Sequence, residues 1–315
     1  MLPDQIALDD LGVLRIRGTD ALTFLQGQLS NDLGRLEREG SLLAGLHNPQ
    51  GRTLAILRLL RMEAHDVLAV VPREITASVA QRLGRYVLRS KVRISDESAA
   101  WRVIGVAPSA AMSAPSAEPS GLAARIASAL EPAGNAPERW IVATPRDADE
   151  PPGAGKERAQ SNADARRDWR LLDIAAGLPQ VYVSTSEQFV AQMLNLDLID
   201  AISFSKGCYT GQEVIARAHY RGRIKRRMQR WRTLAPAALA PGETATLPGG
   251  LAVRVVEAAT LPDGRSEFLA VAPIAARGGG VPDVSAQDAA VPNAAGAPAR
   301  MLDAEPLALP YELPA

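Results

Sequence analysis

The sequence predicts an α+β protein, with a partly antiparallel sheet near its N-terminus and a small β-barrel at its C-terminus. Three observations carry that prediction. Strand and helix patterns alternate without repeating over the first hundred residues. The stretch SLLAGLHNPQGRTLAILRLLR (41–61) holds two apolar runs around a turn signal, which is a local meander and not a parallel crossover. From about residue 225 the chain changes to short strands separated by turn residues.

Taken in order, GVLRIRG (12–18) reads as a strand. TDALTFLQGQLSND (19–32) reads as a helix, capped by Thr19 or Asp20 and apolar at Leu22, Leu25 and Leu29. The NPQG turn separates the strands of the 41–61 hairpin. VLAVVP (67–72) is a strand, EITASVAQRLGRYVL (74–88) a helix and KVRIS (91–95) a short strand. Residues 107–121 and 147–165 are rich in Ala, Pro, Ser and Gly and lack apolar periodicity, so both read as surface loops or linkers. They flank a predicted helix, LAARIASAL (122–130), and a predicted strand, RWIVAT (139–144). MQRWRTL, GETATL, LAVRVVEAA and EFLAVAP are the barrel strands, and 276–300 reads as a mobile insertion among them. The expected domains are 1–224, made of two interleaved α+β parts (roughly 1–104 and 105–224), and 225–315.

Composition narrows the function. Lys plus Arg and Asp plus Glu both number 35 in 315 residues, so no whole-molecule field draws the chain to nucleic acid or membrane, and any electrostatic partner meets a local patch. A single cysteine closes no internal disulfide. The opening MLPDQIALDDLGVLRIRG is acidic and broken by Pro3, unlike a signal peptide. Charge interrupts every apolar run before the roughly 18 residues a membrane span needs. A cytoplasmic location without membrane contact is expected. His47, His65 and His219 are far apart and lack His or Cys neighbours at ligand spacing, so no protein-only metal site is predicted.

The most informative stretch is SFSKGCYTGQEVIARAHYRGRIKRR (203–227), which carries the only cysteine. Thr210 and Glu213 have capping-box spacing, which starts a helix near Gly211. Cys208 then lies near the positive end of that helix and two residues after Lys206, a setting that favours thiolate. Gly207 and Gly211 let the backbone crowd a partner. The alternative is that Cys208 is a small buried hydrophobe. Eight cations follow or overlap the stretch: Arg217, Arg221, Arg223, Lys225, Arg226, Arg227, Arg230 and Arg232.

ISFSKGCYTGQEVIARAHYRG, with DWRLLDIAAGLP (168–179), GTDALTFLQGQLSNDL (18–33) and EPLALPYEL (305–313), closely resembles the YgfZ family of folate-binding proteins, whose signature K-G-C-Y-T-G-Q-E is matched at every position from Lys206 to Glu213. The resemblance implies a fold similar to the T-protein of the glycine cleavage system: a three-domain ring whose central opening holds tetrahydrofolate or a related folate. It implies that Trp169, Lys206, Gly207, Tyr209, Gln212, Glu213 and Arg223 serve the folate site. It places Cys208 at the rim as a functional thiolate in assembly or repair of iron–sulfur proteins, offered to a partner's cluster or disulfide. Partners are then folate and iron–sulfur enzymes or cluster-assembly proteins. A second family tryptophan is replaced here by Leu11.

Other readings remain open. Taken by itself, Trp169 reads more readily as a core tryptophan on a helix than as a ligand residue. The basic run could hold a folate glutamate tail, meet an acidic partner or RNA phosphates, or be a solvated helix end and strand edge. A one-carbon transferase would need a carboxylate beside the folate, for which Asp32 is the N-terminal candidate. An RNA-binding module in tRNA modification is the third reading, disfavoured by the few aromatics, Tyr209, Tyr220 and Trp231, near the basic run.

Overall fold

The computed structural model describes residues 5–106, 122–126, 139–146, 156–221, 224–274 and 300–314. The first half contains β1 (Gln5–Ala7), β2 (Leu11–Arg17), α1 (Ala21–Gln28), α2 (Leu36–Glu39), β3 (Ser41–His47), β4 (Thr53–Glu63), β5 (Asp66–Pro72), α3 (Thr76–Gly84), β6 (Arg93–Asp96) and β7 (Trp101–Val106). It continues with β8 (Leu122–Ile126), β9 (Arg139–Pro145), α4 (Lys156–Ala175) and α5 (Gln212–Tyr220). The C-terminal strands are β10 (Arg226–Thr233), β11 (Thr244–Leu247), β12 (Leu251–Thr260), β13 (Ser266–Pro273), β14 (Arg300–Met301) and β15 (Ala304–Leu307).

These strands form three sheets, ordered β3-β4-β5-β2-β6, β1-β7-β9-β8 and β14-β11-β12-β13-β10-β15. In the first, every pairing is antiparallel. Period-two alternation sends Ala55, Leu57 and Leu59 of β4 into a core shared with Phe24 and Leu25 of α1 and Val79 and Leu83 of α3. Ile56 and Leu60 of the same strand enter a second core that contains Trp101, Ile141 and Trp169. Burial on both faces explains why β4 reads as a nearly continuous apolar run. The hairpin turn is as expected: the Asn48 side chain accepts from the Gln50 and Arg52 amides, and Gly51 has φ 71°.

Several elements differ from their sequence-based assignment. LAARIASAL holds no helix in its described part; β8 pairs antiparallel with β9, and that pairing overrides the helix preference of alanine. The expected 147–165 linker ends earlier, because α4 starts at Lys156, where Glu, Arg, Ala and Gln favour helix once the Pro–Gly stretch has passed. Helix α1 is capped at Asp20 without a side-chain cap bond, since Asp20 Oδ2 accepts from the Lys91 amide instead, and it ends at Gln28. The C-terminal strands form one six-stranded sheet with β14 and β15 at its edges, around Trp231 stacked on Phe268 at 5.9 Å. The 107–121 loop and nearly all of the 276–300 insertion lie outside the described residues.

Buried charges tie the third sheet to residues 182–197 and to α4. Arg227 of β10 pairs with Asp197 through two bonds of 2.8 and 2.9 Å and donates to the Gln192 carbonyl. Glu257 of β12, 1% exposed, accepts from the Tyr182 hydroxyl at 2.5 Å and lies 3.6 Å from Arg170 of α4, which also donates to Asp10. Burial pushes the Glu257 carboxyl up to about 7 against the pull of Arg170. A carboxyl raised from about 4.5 binds an extra proton in the folded state, so its contribution is full below about 4.5 and lost as pH rises through about 7. Glu257→Gln should therefore narrow the difference in Tm between pH 5 and pH 8 relative to wild type, with the gain at pH 8. Parallel profiles for the two proteins would contradict this origin.

Candidate functional site

The site is assembled from two chain segments that meet beneath the 206–213 signature. Helix α1 runs out into Leu29–Asp32, a segment bonded on both sides. Ser30 Oγ accepts from the Gly45 amide and donates to the Ala201 carbonyl, at 2.8 and 2.7 Å. The Asn31 amide group donates to the Leu43 and Asp200 carbonyls. The 199–203 segment is thereby held against β3, and the signature loop emerges from a fixed point.

Lys206 turns inward. Its ammonium donates to the carbonyls of Gln26 and Leu29, at 2.5 and 2.6 Å, where α1 ends with open acceptors and the negative end of its dipole. It also sits 4.9 Å from the Tyr209 ring centroid. Burial pulls Lys206 down to about 8, while the charge of Asp32 opposes that shift. Asp32 accepts from Gln26 Nε2 and caps the following turn through the Gly34 amide, so its carboxylate is already engaged. Tyr209 is buried, which raises its hydroxyl to about 12, and its ring stands 6.3 Å from that of His47. His47 is buried against Gly45, with Nε2 unpaired, and burial pushes it down to about 3, so it is a neutral structural imidazole at physiological pH.

Helix α5 does not use the capping box. Its N-cap is Gly211 in the left-handed region at φ 84°, and no side chain caps it, so neither Thr210 nor Glu213 closes the reciprocal pair. The reason is close packing: a Cβ at Gly211 would lie 2.5 Å from the Asn48 carbonyl oxygen and 3.2 Å from the Gly51 Cα. The tight NPQG turn and the signature glycine are thus one contact. Gly207, Cys208 and Glu213 remain exposed and Gln212 is half-buried. The signature therefore divides into an inward pair, Lys206 and Tyr209, and an outward group around Cys208. Phe204 stacks on His219 at 3.8 Å beside exposed Tyr220, an aromatic cluster missed in the sequence reading because its members lie fifteen residues apart.

The remaining expected site residues lie elsewhere. Trp169 on α4 is buried in the core that also contains Tyr209, with its six-membered ring against Gly105, where a Cβ would be 2.7 Å away. Arg139 lies over the ring at 5.0 Å, and the indole Nε1 has no partner. Leu11 packs against the same core. Arg223 is outside the described residues. Much of the basic run is not a free surface: Arg227 is buried with Asp197, and Arg230 and Arg232 both pair with Glu267 at 2.7 Å. Arg217, Arg221 and Lys225 are exposed and Arg226 is half-buried. Among the described residues no group of His, Cys, Asp and Glu is placed to hold a metal ion, and no helix is long and apolar enough to cross a membrane.

The architecture is that of an aminomethyltransferase-type fold. The glycine cleavage system aminomethyltransferase T from Bartonella henselae superposes with a TM-score of 0.61 over 85% of this chain and 78% of that one, at 14% identity. No protein-family model matches the chain. Among curated proteins, the tRNA-modifying protein YgfZ of Enterobacter sp. (strain 638) is 34% identical, with 82% of each chain covered. The protein of that name from Escherichia fergusonii is 32% identical over 70% of this chain and 69% of its own. An uncharacterized Haemophilus influenzae protein is 32% identical over 71% of each. The chain belongs to the YgfZ family.

Gly211→Ala should separate the signature from the hairpin turn, since the new methyl meets the Asn48 carbonyl and the residue is held at positive φ. A loss of about 2 kcal/mol or more in urea unfolding is expected. A stability within experimental error of wild type would show that the contact yields without cost.

Proposed function

We propose that this protein is a folate-binding accessory factor that supports assembly or repair of iron–sulfur proteins, with Cys208 as a functional thiol at the rim of the folate site. The observation that carries the reading is the division of the signature. Lys206 and Tyr209 are committed inward to α1 and the core, while Cys208 is exposed between them on an anchored loop. A thiol meant only for packing would be the inward residue. The fold of an aminomethyltransferase and membership of a family whose curated relatives are called tRNA-modifying proteins support the reading and suggest tRNA-modifying iron–sulfur enzymes, or cluster-assembly proteins, as partners. The proposed setting is a cytoplasmic, three-domain ring closed by the C-terminal sheet as a small barrel.

Folate fits the residues present in one respect: the buried core between the first two sheets contains a donor without a partner, Trp169 Nε1. With Gly105 and Arg139 covering its ring, Trp169 would serve a folate through that edge more readily than through stacking. Lys206, Gly207, Tyr209, Gln212 and Glu213 would form the wall nearest Cys208. A bound reduced folate supplies one-carbon chemistry at its N5 and N10 atoms. For the transferase reading, the carboxylate at hand is Asp32, whose Oδ1 already accepts from Gln26 Nε2 and the Gly34 amide.

Cys208→Ser should leave tetrahydrofolate affinity, read by tryptophan fluorescence, within about twofold of wild type. It should abolish support of an iron–sulfur enzyme's activity in cells lacking the native protein. Normal support by the serine variant would overturn the role of the thiol.

A further inference from the structure

Arg58 stands in the apolar run LAILRLL of β4, between Leu43 on β3 and Val70 on β5. It shares a face with Ile56 and Leu60, the face that enters the core containing Trp169 and Ile141. The residue is half-buried, and its Nε is sealed from solvent without a hydrogen-bond partner. Among the described residues its guanidinium makes no hydrogen bond and no ion pair. The carboxylate whose field reaches it is already matched: Asp173 accepts from Arg139 at 3.0 Å, and Arg139 also donates to the Leu172 carbonyl. Arg58 and Arg139 thus both lie in the field of Asp173, which bonds to Arg139 and not to Arg58. Burial pulls its pKa down and Arg139 adds to that, with Asp173 opposing, yet a guanidinium does not lose its proton in a protein.

Two other buried arginines of the molecule each have a carboxylate partner. Arg227 has Asp197 and Arg139 has Asp173. An unmatched charge in an apolar setting destabilises the fold unless an anion completes it. The planar fork of arginine suits a carboxylate, which it takes in two parallel hydrogen bonds. The fork of a single guanidinium flanked by Leu43 and Val70 suits one planar carboxylate group on an organic body.

We propose that Arg58 anchors the carboxylate of an organic acid bound between the first and second sheets. If the ligand is a folate, that group is a carboxylate of its glutamate tail, a role that Arg227, Arg230 and Arg232 cannot take while they hold Asp197 and Glu267. The naming of folate rests on the function proposed above; the carboxylate site does not.

The test compares wild type with Arg58→Met and Arg58→Lys, using calorimetric titration with 4-aminobenzoyl-glutamate, tetrahydrofolate, tetrahydropteroate (which lacks the glutamate) and inorganic phosphate. Without ligand, Arg58→Met should melt roughly 2–4 °C above wild type, because an unmatched charge has been removed. It should bind 4-aminobenzoyl-glutamate roughly tenfold to a hundredfold more weakly, the loss of a charged hydrogen-bonded pair. Arg58→Lys should retain part of that affinity. If 4-aminobenzoyl-glutamate binds wild type and is lost in Arg58→Met while neither folate compound binds, the carboxylate site stands and the folate reading fails. If tetrahydrofolate and tetrahydropteroate bind all three proteins equally, the folate reading stands and this inference fails. An Arg58→Met protein that is less stable than wild type, or phosphate binding as tight as that of 4-aminobenzoyl-glutamate, would also overturn it.

Discussion

The organising interaction is the ammonium of Lys206 on the open carbonyls at the end of helix α1. A helix C-terminus leaves acceptors that water or a donor must satisfy, and here the donor comes from about 180 residues further along the chain. That one contact positions the loop that follows it. Tyr209 is drawn into the core beneath the ammonium, Gly211 falls onto the Asn48 carbonyl, and α5 begins in the left-handed conformation that this close approach demands. Ser30 and Asn31 add bonds from the same segment to residues 200, 201 and 203, so the loop cannot drift as a body. The exposure of Cys208 follows from the burial of its neighbours.

A second constraint is the pairing of internal charge. Near-zero net charge conceals a set of arginines with assigned carboxylates: Arg227 with Asp197, Arg139 with Asp173, Arg230 and Arg232 with Glu267. These pairs join segments distant in sequence, and breaking one by removing a single partner costs more than the pair contributes, since it strands the other charge. The basic stretch that looks like a binding surface in the sequence is in large part this internal fastening. Arg58, whose Nε has no partner, is where this pairing is incomplete, and incomplete pairing in a buried place is where a ligand acts.

The extent to which the sequence foretold this arrangement varied with the range of the interactions involved. The 41–61 hairpin was legible because apolar runs and the NPQG turn agree locally. β8 was not, because an alanine-rich stretch favours helix until a neighbouring strand pairs with it. The signature was found as a motif, but its apparent capping box dissolved once Gly211 met the Asn48 carbonyl, a contact across more than 160 residues. Counting cations in 217–232 could not reveal that Asp197 and Glu267 were waiting for three of them. Arg58 did leave a trace, as a charge inside the apolar run LAILRLL, the kind of local inconsistency that marks a site in place of a core position.

The central claim is that a buried scaffold holds Cys208 open to a partner. The most direct measurement is the rate at which iodoacetamide alkylates the thiol in the native protein, set against the rate in denaturant. The account predicts that native Cys208 reacts at a rate comparable to the unfolded chain while the rest of the protein stays folded. Protection of Cys208 until the protein unfolds would contradict it and return the cysteine to the core.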